Sequence, residues 1–358
     1  MCNGKAKSMI TIKPDFYDKF KCIASKCTDS CCVGWEIDID KNSFEKYQIY
    51  RGQYGDKIRA NISCENETAC FKLKGKEERC PFLNEENLCD IIINCGEDML
   101  CDICREHPRF YEWYDNYTDM GLGLCCEEAV RLLLKENENL NFLYEDDGSE
   151  KIEDEAEGLL MSREKIFNIL KNKEQTFYKK IHEVILITKE SEKIFFDDNE
   201  NQKEIYDKEK IEKEIFKILD ALEPFDENYT VMIKKIKENR KMILEKREDF
   251  DKYINTYQNR YEKILSYTIF RYYMKCLYDG NIMGKIAFSL IYIWLINMTD
   301  MLIFLKKGKI NEKESIDIVK YWSKQIDYSE ENVDILMDEI NNNQILSCKN
   351  IEKLFKRG

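Results

Sequence analysis

Between Trp35 and Asp40 apolar and acidic residues alternate. Trp35, Ile37 and Ile39 fall on one side of an extended chain, Glu36, Asp38 and Asp40 on the other. A period of two predicts a half-buried strand. Asn42 or Ser43 is placed to cap a short helix running through Tyr47. Phe71 and Leu73 predict a second short strand before Gly75, and the turn at 84–87 predicts a small hairpin closing near Cys89. From Gly96 the pattern reads as helical through Leu100 and Cys104 until Pro108 interrupts it. Residues 8–20 read as an entry segment in which Pro14 discourages a continuous helix. Glu127-Glu-Ala-Val-Arg-Leu-Leu-Leu134 is a strong helix former with two acids in its first turn.

Residues 144–158 are acidic and poor in large apolar side chains, the composition of a linker. Beyond them the period becomes helical and stays so: Ile166, Ile169, Leu170, Phe177, Ile181, Val184 and Ile185 recur at three and four, with Ser162 as the N-cap. The run 286–305 approaches the length of a membrane span, but it carries Asn297, Thr299 and Asp300, which predicts a buried core helix instead. The aromatics of 267–273 read as core and core-edge rings at helical spacing. The expected architecture is therefore mainly α. A cysteine-rich N-terminal region (1–143) with one or two short β elements is joined by the 144–158 linker to an all-helical domain (159–358).

Composition changes this picture at one place. Of 16 cysteines in 358 residues, Cys2, Cys276 and Cys348 lie outside the stretch from Cys22 to Cys126, and the rest lie within it. The N-terminus has no apolar segment of the secretory type, which predicts a cytoplasmic, reducing setting where clustered cysteines ligate metal more often than they pair. A net charge of −13 argues against nucleic acid as a partner. With His107 and His182 the only histidines, ligation would be nearly all sulfur, which suits an iron–sulfur cluster or structural zinc alike. The short spacings are Cys22-x4-Cys27-x3-Cys31-Cys32, Cys80-x8-Cys89 and Cys101-x2-Cys104. On a helix Cys27 and Cys31 would share a face while Cys32 pointed elsewhere, so the adjacent pair can serve two sites. Cys104 with His107 is the one local pair resembling a cysteine nucleophile and its base. No glycine-rich strand-to-helix fingerprint is present; Gly121-Leu-Gly123 lacks the third glycine.

The residues around the cysteines carry more information than their spacing. Cys22-x4-Cys27-x3-Cys31-Cys-Val-Gly-Trp-Glu-Ile-Asp-Ile-Asp40, Cys80-Pro-Phe-Leu83 with Cys89, Gly96-Glu-Asp-Met-Leu100, Cys104-Arg-Glu-His-Pro-Arg-Phe110 and Gly123-Leu-Cys-Cys-Glu-Glu-Ala-Val-Arg-Leu-Leu-Leu134 resemble, in this order, the flagellin lysine-N-methylase family. A looser similarity continues at Tyr278-Asp-Gly-Asn281 and Tyr328-Ser-Glu-Glu-Asn332. The first segments are also similar to small zinc- or iron-chelating cysteine-cluster domains. The family resemblance implies methyl transfer from S-adenosylmethionine to lysines of flagellin, with a [4Fe–4S] cluster in the protein and zinc as the alternative metal. Carried over by motif, the candidate ligands are Cys22, Cys27, Cys31, Cys32, Cys80, Cys89, Cys104 and Cys126. Eight exceeds the four that one cubane cluster takes from a protein. Arg109 is a candidate for the donor's carboxylate. Glu127, Glu128, Tyr111, Tyr114 and Tyr117 are the groups available to deprotonate a lysine, with surface roles the ordinary expectation for each. No membrane is expected as a partner.

Overall fold

A computed structural model describes residues 10–65, 68–114, 117–135, 139–146, 152, 154–196, 204–254 and 259–356. Its strands are β1 (Ile10–Pro14), β2 (Asp38–Ile39), β3 (Ile62–Glu65), β4 (Thr68–Phe71), β5 (Arg109–Tyr114), β6 (Tyr117–Leu122) and β7 (Phe142–Glu145). The N-terminal helices are α1 (Lys41–Ile49), α2 (Gln53–Ala60), α3 (Asp90–Cys95), α4 (Asp102–Glu106) and α5 (Glu127–Leu134). Then come α6 (Asp154–Lys171), α7 (Phe177–Phe195), α8 (Lys208–Ala221), α9 (Asn228–Glu238), α10 (Arg240–Glu245), α11 (Arg247–Ile254) and α12 (Arg260–Tyr272). The chain closes with α13 (Cys276–Asp279), α14 (Ile282–Lys307), α15 (Glu312–Gln325), α16 (Glu330–Asn342) and α17 (Cys348–Ile351). The protein is mainly α, as predicted, with its strands in the N-terminal part.

The helical body is built around α14. Its side chains are buried on every face from Ile286 to Leu302, and α7, α12, α15, α16 and α17 pack against it. A helix apolar all round is stable in water only inside a shell of others. It is long and apolar enough to cross a membrane, yet 83% of its most apolar eighteen residues are covered by the protein itself. Asp300 and Thr299 have partners in that core. Tyr261 donates to Asp300 at 2.6 Å, Arg260 pairs with the same carboxylate, and Trp322 donates to Thr299 at 2.9 Å. The 267–273 rings are buried too, apart from Arg271 between them.

The strands form two sheets, and these belong to different cores. In the first, of order β5-β6-β1-β7, β1 runs parallel to β6 and antiparallel to β7. Ile10, Ile12, Tyr117 and Leu122 from this sheet share one continuous core with α6, α12 and α14. Tyr267 of α12 grips β6 twice: its hydroxyl accepts from the Leu122 N–H at 2.6 Å and donates to the Leu122 carbonyl at 2.7 Å. Gly121 faces Phe110 across the β5–β6 ladder so closely that a Cβ there would lie 2.2 Å from Phe110 Cζ. The Gly121–Gly123 pair is thus a strand end under an aromatic ring, not a phosphate loop.

The second sheet, β2-β4-β3, forms a small lobe with α1, α2 and α3. Its core is Ile37, Ile39, Tyr47, Ile58, Ile62, Phe71, Cys80, Phe82, Leu83, Ile91 and Cys101.

Several local expectations need correction. Ile37 and Ile39 are buried while Glu36 and Asp38 are exposed, but the ladder covers only Asp38–Ile39. The cap of α1 is Asp40, whose carboxylate accepts from the Ser43 N–H at 2.9 Å and from the Asp102 N–H, at the start of α4, also at 2.9 Å. The 96–104 helix is a 3-10 turn at Glu97–Met99 followed by the five-residue α4. Entry residues 10–14 form a central strand. Ser162 lies buried inside α6 and shares a hydrogen bond with Ser191 rather than capping anything. Of the acidic stretch 144–158, residues 144–145 end β7 and 154–158 open α6, while 147–151 and 153 lie outside the described residues.

Candidate metal centre

All thirteen cysteines of the 22–126 stretch are free thiols, and the backbone sorts the eight candidates into two neighbourhoods. The loop carrying Cys22, Cys27 and Cys31 is tied to the N-terminus of α5. Glu127 Oε2 accepts from the Thr28 N–H at 2.8 Å and the Thr28 hydroxyl at 2.5 Å, and Cys27 Sγ lies 3.7 Å from it. Cys126 is the N-cap of that helix, so Glu127 brings Cys27 beside it. From α15, Lys324 clamps Asp29 at 2.5 Å, and Lys320 reaches Asp29 at 3.5 Å and Glu127 at 3.7 Å. Cys32 acts most strongly on Cys31, with Cys22 and Cys126 after it, and Cys27 and Cys22 act on Cys126.

The main chain of Cys32 joins the lobe, while its sulfur stays within hydrogen-bond reach of Cys31. The Cys32 carbonyl accepts from the Cys80 N–H at 2.8 Å, and Val33 bridges to Arg79. Cys89 is bridged to Leu83 and caps α3, while Cys101 caps α4 and Cys104 lies in its first turn. Cys32 and Cys89 act electrostatically on Cys80; Cys101, Cys32 and Cys80 act on Cys104. Cys32, Cys80, Cys89, Cys101 and Cys104 all pack with the small lobe's core, whereas Cys126 packs with the core of the helical body.

Burial pushes most of these thiols up, Cys80 to about 12 and Cys126 to about 11. Against it, backbone N–H groups point at the sulfurs: those of Phe82 and Leu83 at Cys80, Ile92 and Ile91 at Cys89, Ala129 and Glu128 at Cys126. Such N–H···S bonds are what a metal-bound thiolate uses to spread its charge. Cys32 is brought down to about 7 by hydrogen bonding from Cys31, with burial opposing and Ser30 and Arg79 assisting. Cys31, its proton donor, is held far up. Among the described residues no group of three or more His, Cys, Asp or Glu side chains already stands at metal-ligand distance. The donor set nevertheless suits a soft metal or an iron–sulfur cluster: four or more thiols in each neighbourhood, three of the cysteines standing at helix N-caps.

The remaining candidates have specific partners. Arg109 lies with its guanidinium 5.3 Å from the Phe20 ring centre and 5.9 Å from that of Tyr17, steadying the chain just before Cys22. Glu127 holds Thr28, and Glu128 is buried in a two-pronged pair with Arg131 at 2.6 Å, so neither is a solvated surface acid. Tyr111 donates to Glu106 at 2.8 Å, and Tyr114 stacks on Tyr117 at 4.7 Å. The ring of His107 meets Tyr328 (Nδ1 to hydroxyl 3.3 Å) and not Cys104, which removes the support for a cysteine nucleophile pair.

Two features eluded the sequence reading. Cys101 stands within hydrogen-bond reach of Cys104; the Cys101-x2-Cys104 spacing was the available signal. Trp35, His107 and Tyr328 come together from three distant segments, with ring centres 5.7–6.1 Å apart. Tyr328 feels the charges of Cys125, Cys31, Cys104 and Cys126, so this aromatic group lies between the two thiol neighbourhoods. The motif residues after it are architectural. Ser329 caps α16 and Asn332 holds the Glu223 and Gln325 carbonyls, while Asn281 caps α14. A cavity of about 520 Å³ lies elsewhere, lined by Lys180, Arg260, Tyr261 and Asn297 among others and by no thiol.

Fold and site together define a class: a thiol-rich lobe tied to a helical body by an acidic loop and two lysines. Residues 159–354 match the FliB lysine N-methylase C-terminal domain, and the chain belongs to that family, as the resemblance implied. It is 30% identical over 135 residues to the flagellar biosynthetic protein FliU of Salmonella muenchen, covering 36% of this chain and 80% of that protein. The same identity over 135 residues relates it to the lysine-N-methylases of Salmonella typhimurium and Salmonella choleraesuis. That alignment covers 36% of this chain and 34% of each of those proteins. No solved structure matches the chain.

Proposed function

We propose that this protein is a cytoplasmic lysine N-methyltransferase that carries methyl groups from S-adenosylmethionine to flagellin, with a [4Fe–4S] cluster ligated by cysteines. The observation that carries the reading is the family match over the helical half joined to a thiol-rich lobe in the same chain. The candidate cysteines, with N–H groups directed at three of their sulfurs, are the residues that would hold the cluster. When bound, such a cluster supplies an iron centre able to take the amino and carboxylate groups of the donor.

The chain's own residues do the rest. A lysine amine must be uncharged to attack a methyl group, and an apolar wall lowers its affinity for protons. Trp35, His107 and Tyr328 provide that wall beside the thiols, and aromatic faces also attract the incoming ammonium. Burial, with Lys324 adding to it, draws His107 down to about 4, so its ring brings no positive charge to repel the substrate.

The test is to purify the chain without oxygen, measure iron, sulfide and zinc, and incubate it with a matched flagellin and methyl-labelled donor. Label on flagellin lysines is expected; its absence despite an intact cluster overturns the reading. Tyr328→Leu should lower lysine methylation about tenfold or more with metal content unchanged.

A further inference from the structure

We propose that the cavity of about 520 Å³ in the helical body is a binding site for a nucleoside phosphate, a flat base carrying an anionic tail. Its volume is that of a small-molecule site. Such a site needs none of the thiols and is independent of methyl transfer.

Three features of the wall point to this ligand. The first is a set of buried polar atoms with nothing bonded to them. Asn297 is 6% exposed and Arg260 8%, yet Asn297 Oδ1 and Arg260 Nε have no hydrogen-bond partner, and neither has Gln175 Oε1. All three residues line the cavity. Arg260 and Asn297 meet in one network. Arg260 pairs with Asp300, Tyr261 donates to the same carboxylate, and Asn297 stands within hydrogen-bond reach of the Tyr261 hydroxyl. A buried polar atom without a partner destabilises the fold until a ligand or solvent satisfies it. One donor beside one acceptor matches the edge of a nucleobase, where a ring nitrogen accepts and the neighbouring amine donates.

The second feature is aromatic. The ring centres of Phe177 and Tyr261 stand 6.0 Å apart, and Phe355 meets Phe177 at 6.0 Å. Rings of this kind hold a base by its face.

The third is charge. In a chain of net charge −13, seven lysines and arginines line the cavity against three carboxylates. Lys180 already holds Glu262 at 2.9 Å, Arg247 holds Asp251 at 3.2 Å, and Asp300 balances Arg260. Lys171, Lys173, Lys263 and Lys356 remain against Glu174 at the rim. Lys208, whose ammonium donates to the Lys356 carbonyl at 2.7 Å, is held below the usual lysine value by burial and then by Arg247, with Glu212 opposing. Two helices also begin on the cavity. Thr176 and Phe177 at the start of α7 and Arg260, Tyr261 and Glu262 at the start of α12 line it, and Asn259 gives α12 no side-chain cap. Helix starts carry partial positive charge and N–H groups that an anion satisfies. The same wall disfavours S-adenosylmethionine, whose sulfonium and ammonium outnumber its one carboxylate.

The test is isothermal titration calorimetry of the full-length chain with AMP, adenosine, inorganic phosphate and S-adenosylmethionine. AMP should bind once per chain, about tenfold or more tighter than adenosine or phosphate alone. Lys173→Glu/Lys356→Glu alters two exposed rim side chains and should weaken AMP about tenfold while adenosine binding stays the same. Asn297→Leu, close to isosteric, should weaken both AMP and adenosine about tenfold. Because Asn297→Leu can disturb the buried network, the rim variant is the measurement that does not depend on it. No AMP binding, or AMP bound no better than phosphate, overturns the proposal. So does AMP binding unchanged in the rim variant, or S-adenosylmethionine bound more tightly than AMP.

Discussion

The small lobe and the helical body bury their apolar side chains on very different scales. The lobe's core has eleven buried members, two of them cysteines, and its regular elements are two- to nine-residue pieces. The body wraps a 26-residue helix in several others and borrows a four-stranded sheet. A core as small as the lobe's rarely offsets the entropy of ordering the chain around it, so such units need a staple. Six sulfurs that could supply one line that same core. The body needs none.

Removing metal should therefore separate the two regions most sharply. Binding a structural metal contributes on the order of 10 kcal/mol to folding small thiolate units. Treating metal-loaded protein with chelator under reducing conditions should abolish hydrogen-exchange protection at Ile37, Ile39, Tyr47 and Phe71 while that of α14 persists. Unchanged protection in the lobe would show that its apolar core suffices alone.

The body has its own weak point, where the first sheet meets α6. Arg163, 2% exposed, holds Asp119, 1% exposed, through two hydrogen bonds of 2.5 and 2.9 Å, and also donates to the Phe270 carbonyl at 3.1 Å. Removing one partner of such a pair leaves a buried charge and costs about 3–5 kcal/mol, whereas removing both costs far less. Arg163→Leu should lower the urea midpoint of the body, and Asp119→Leu/Arg163→Leu should recover much of it. Equal losses for the single and double variants would mean that packing, not charge, holds this joint.

This pair also shows why the first sheet was hard to read. Strand β6 is buried at five of six positions, so polar Thr118 and Asp119 point inward and no alternation of apolar and polar residues survives. Its parallel partner β1 lies about a hundred residues earlier and ends in Pro14, which reads as a loop signal. Likewise the acidic residues opening α6 have linker composition, yet acids at a helix start are favourable and Glu and Ala are good helix formers. The helices from α7 onward and the buried nature of α14 were legible because their apolar period is local. The thiols were legible as residues; their neighbourhoods were not, because only the fold brings Cys27 beside Cys126 and the Cys32 main chain against Cys80.

At the junction the regions should part again in acid. Burial holds the His107 imidazole at about 4, below its ordinary 6.5. The unfolded chain thus takes up this proton first, and stability falls as pH drops through the window from about 6.5 to 4. The loss is about 3 kcal/mol at most. In metal-free protein, His107→Gln should flatten this part of the urea-midpoint profile relative to wild type, with the carboxylate titrations common to both. A parallel profile would mean that the histidine titrates normally.

The smallest effect addresses the lobe alone. Asp40 caps α1 through Ser43 and also receives the N–H of Asp102, so one carboxylate fixes the helix that follows β2 and the helix that carries Cys104. Burial raises its pKa, but these hydrogen bonds outweigh burial and hold it below the usual range. Its contribution is present above the unfolded carboxylate value and is lost as pH falls through the lower folded one. Losing a cap costs about 1 kcal/mol, and Asp40→Ala gives up a cap and a tertiary hydrogen bond to a charged group. Asp40→Ala should loosen hydrogen exchange at Tyr47 and Cys104 and speed release of the lobe's metal, with no change at α14. Faster exchange spread equally over α14 would show that the two cores unfold as one unit, and the contrast between them would then lie in their composition rather than in their stability.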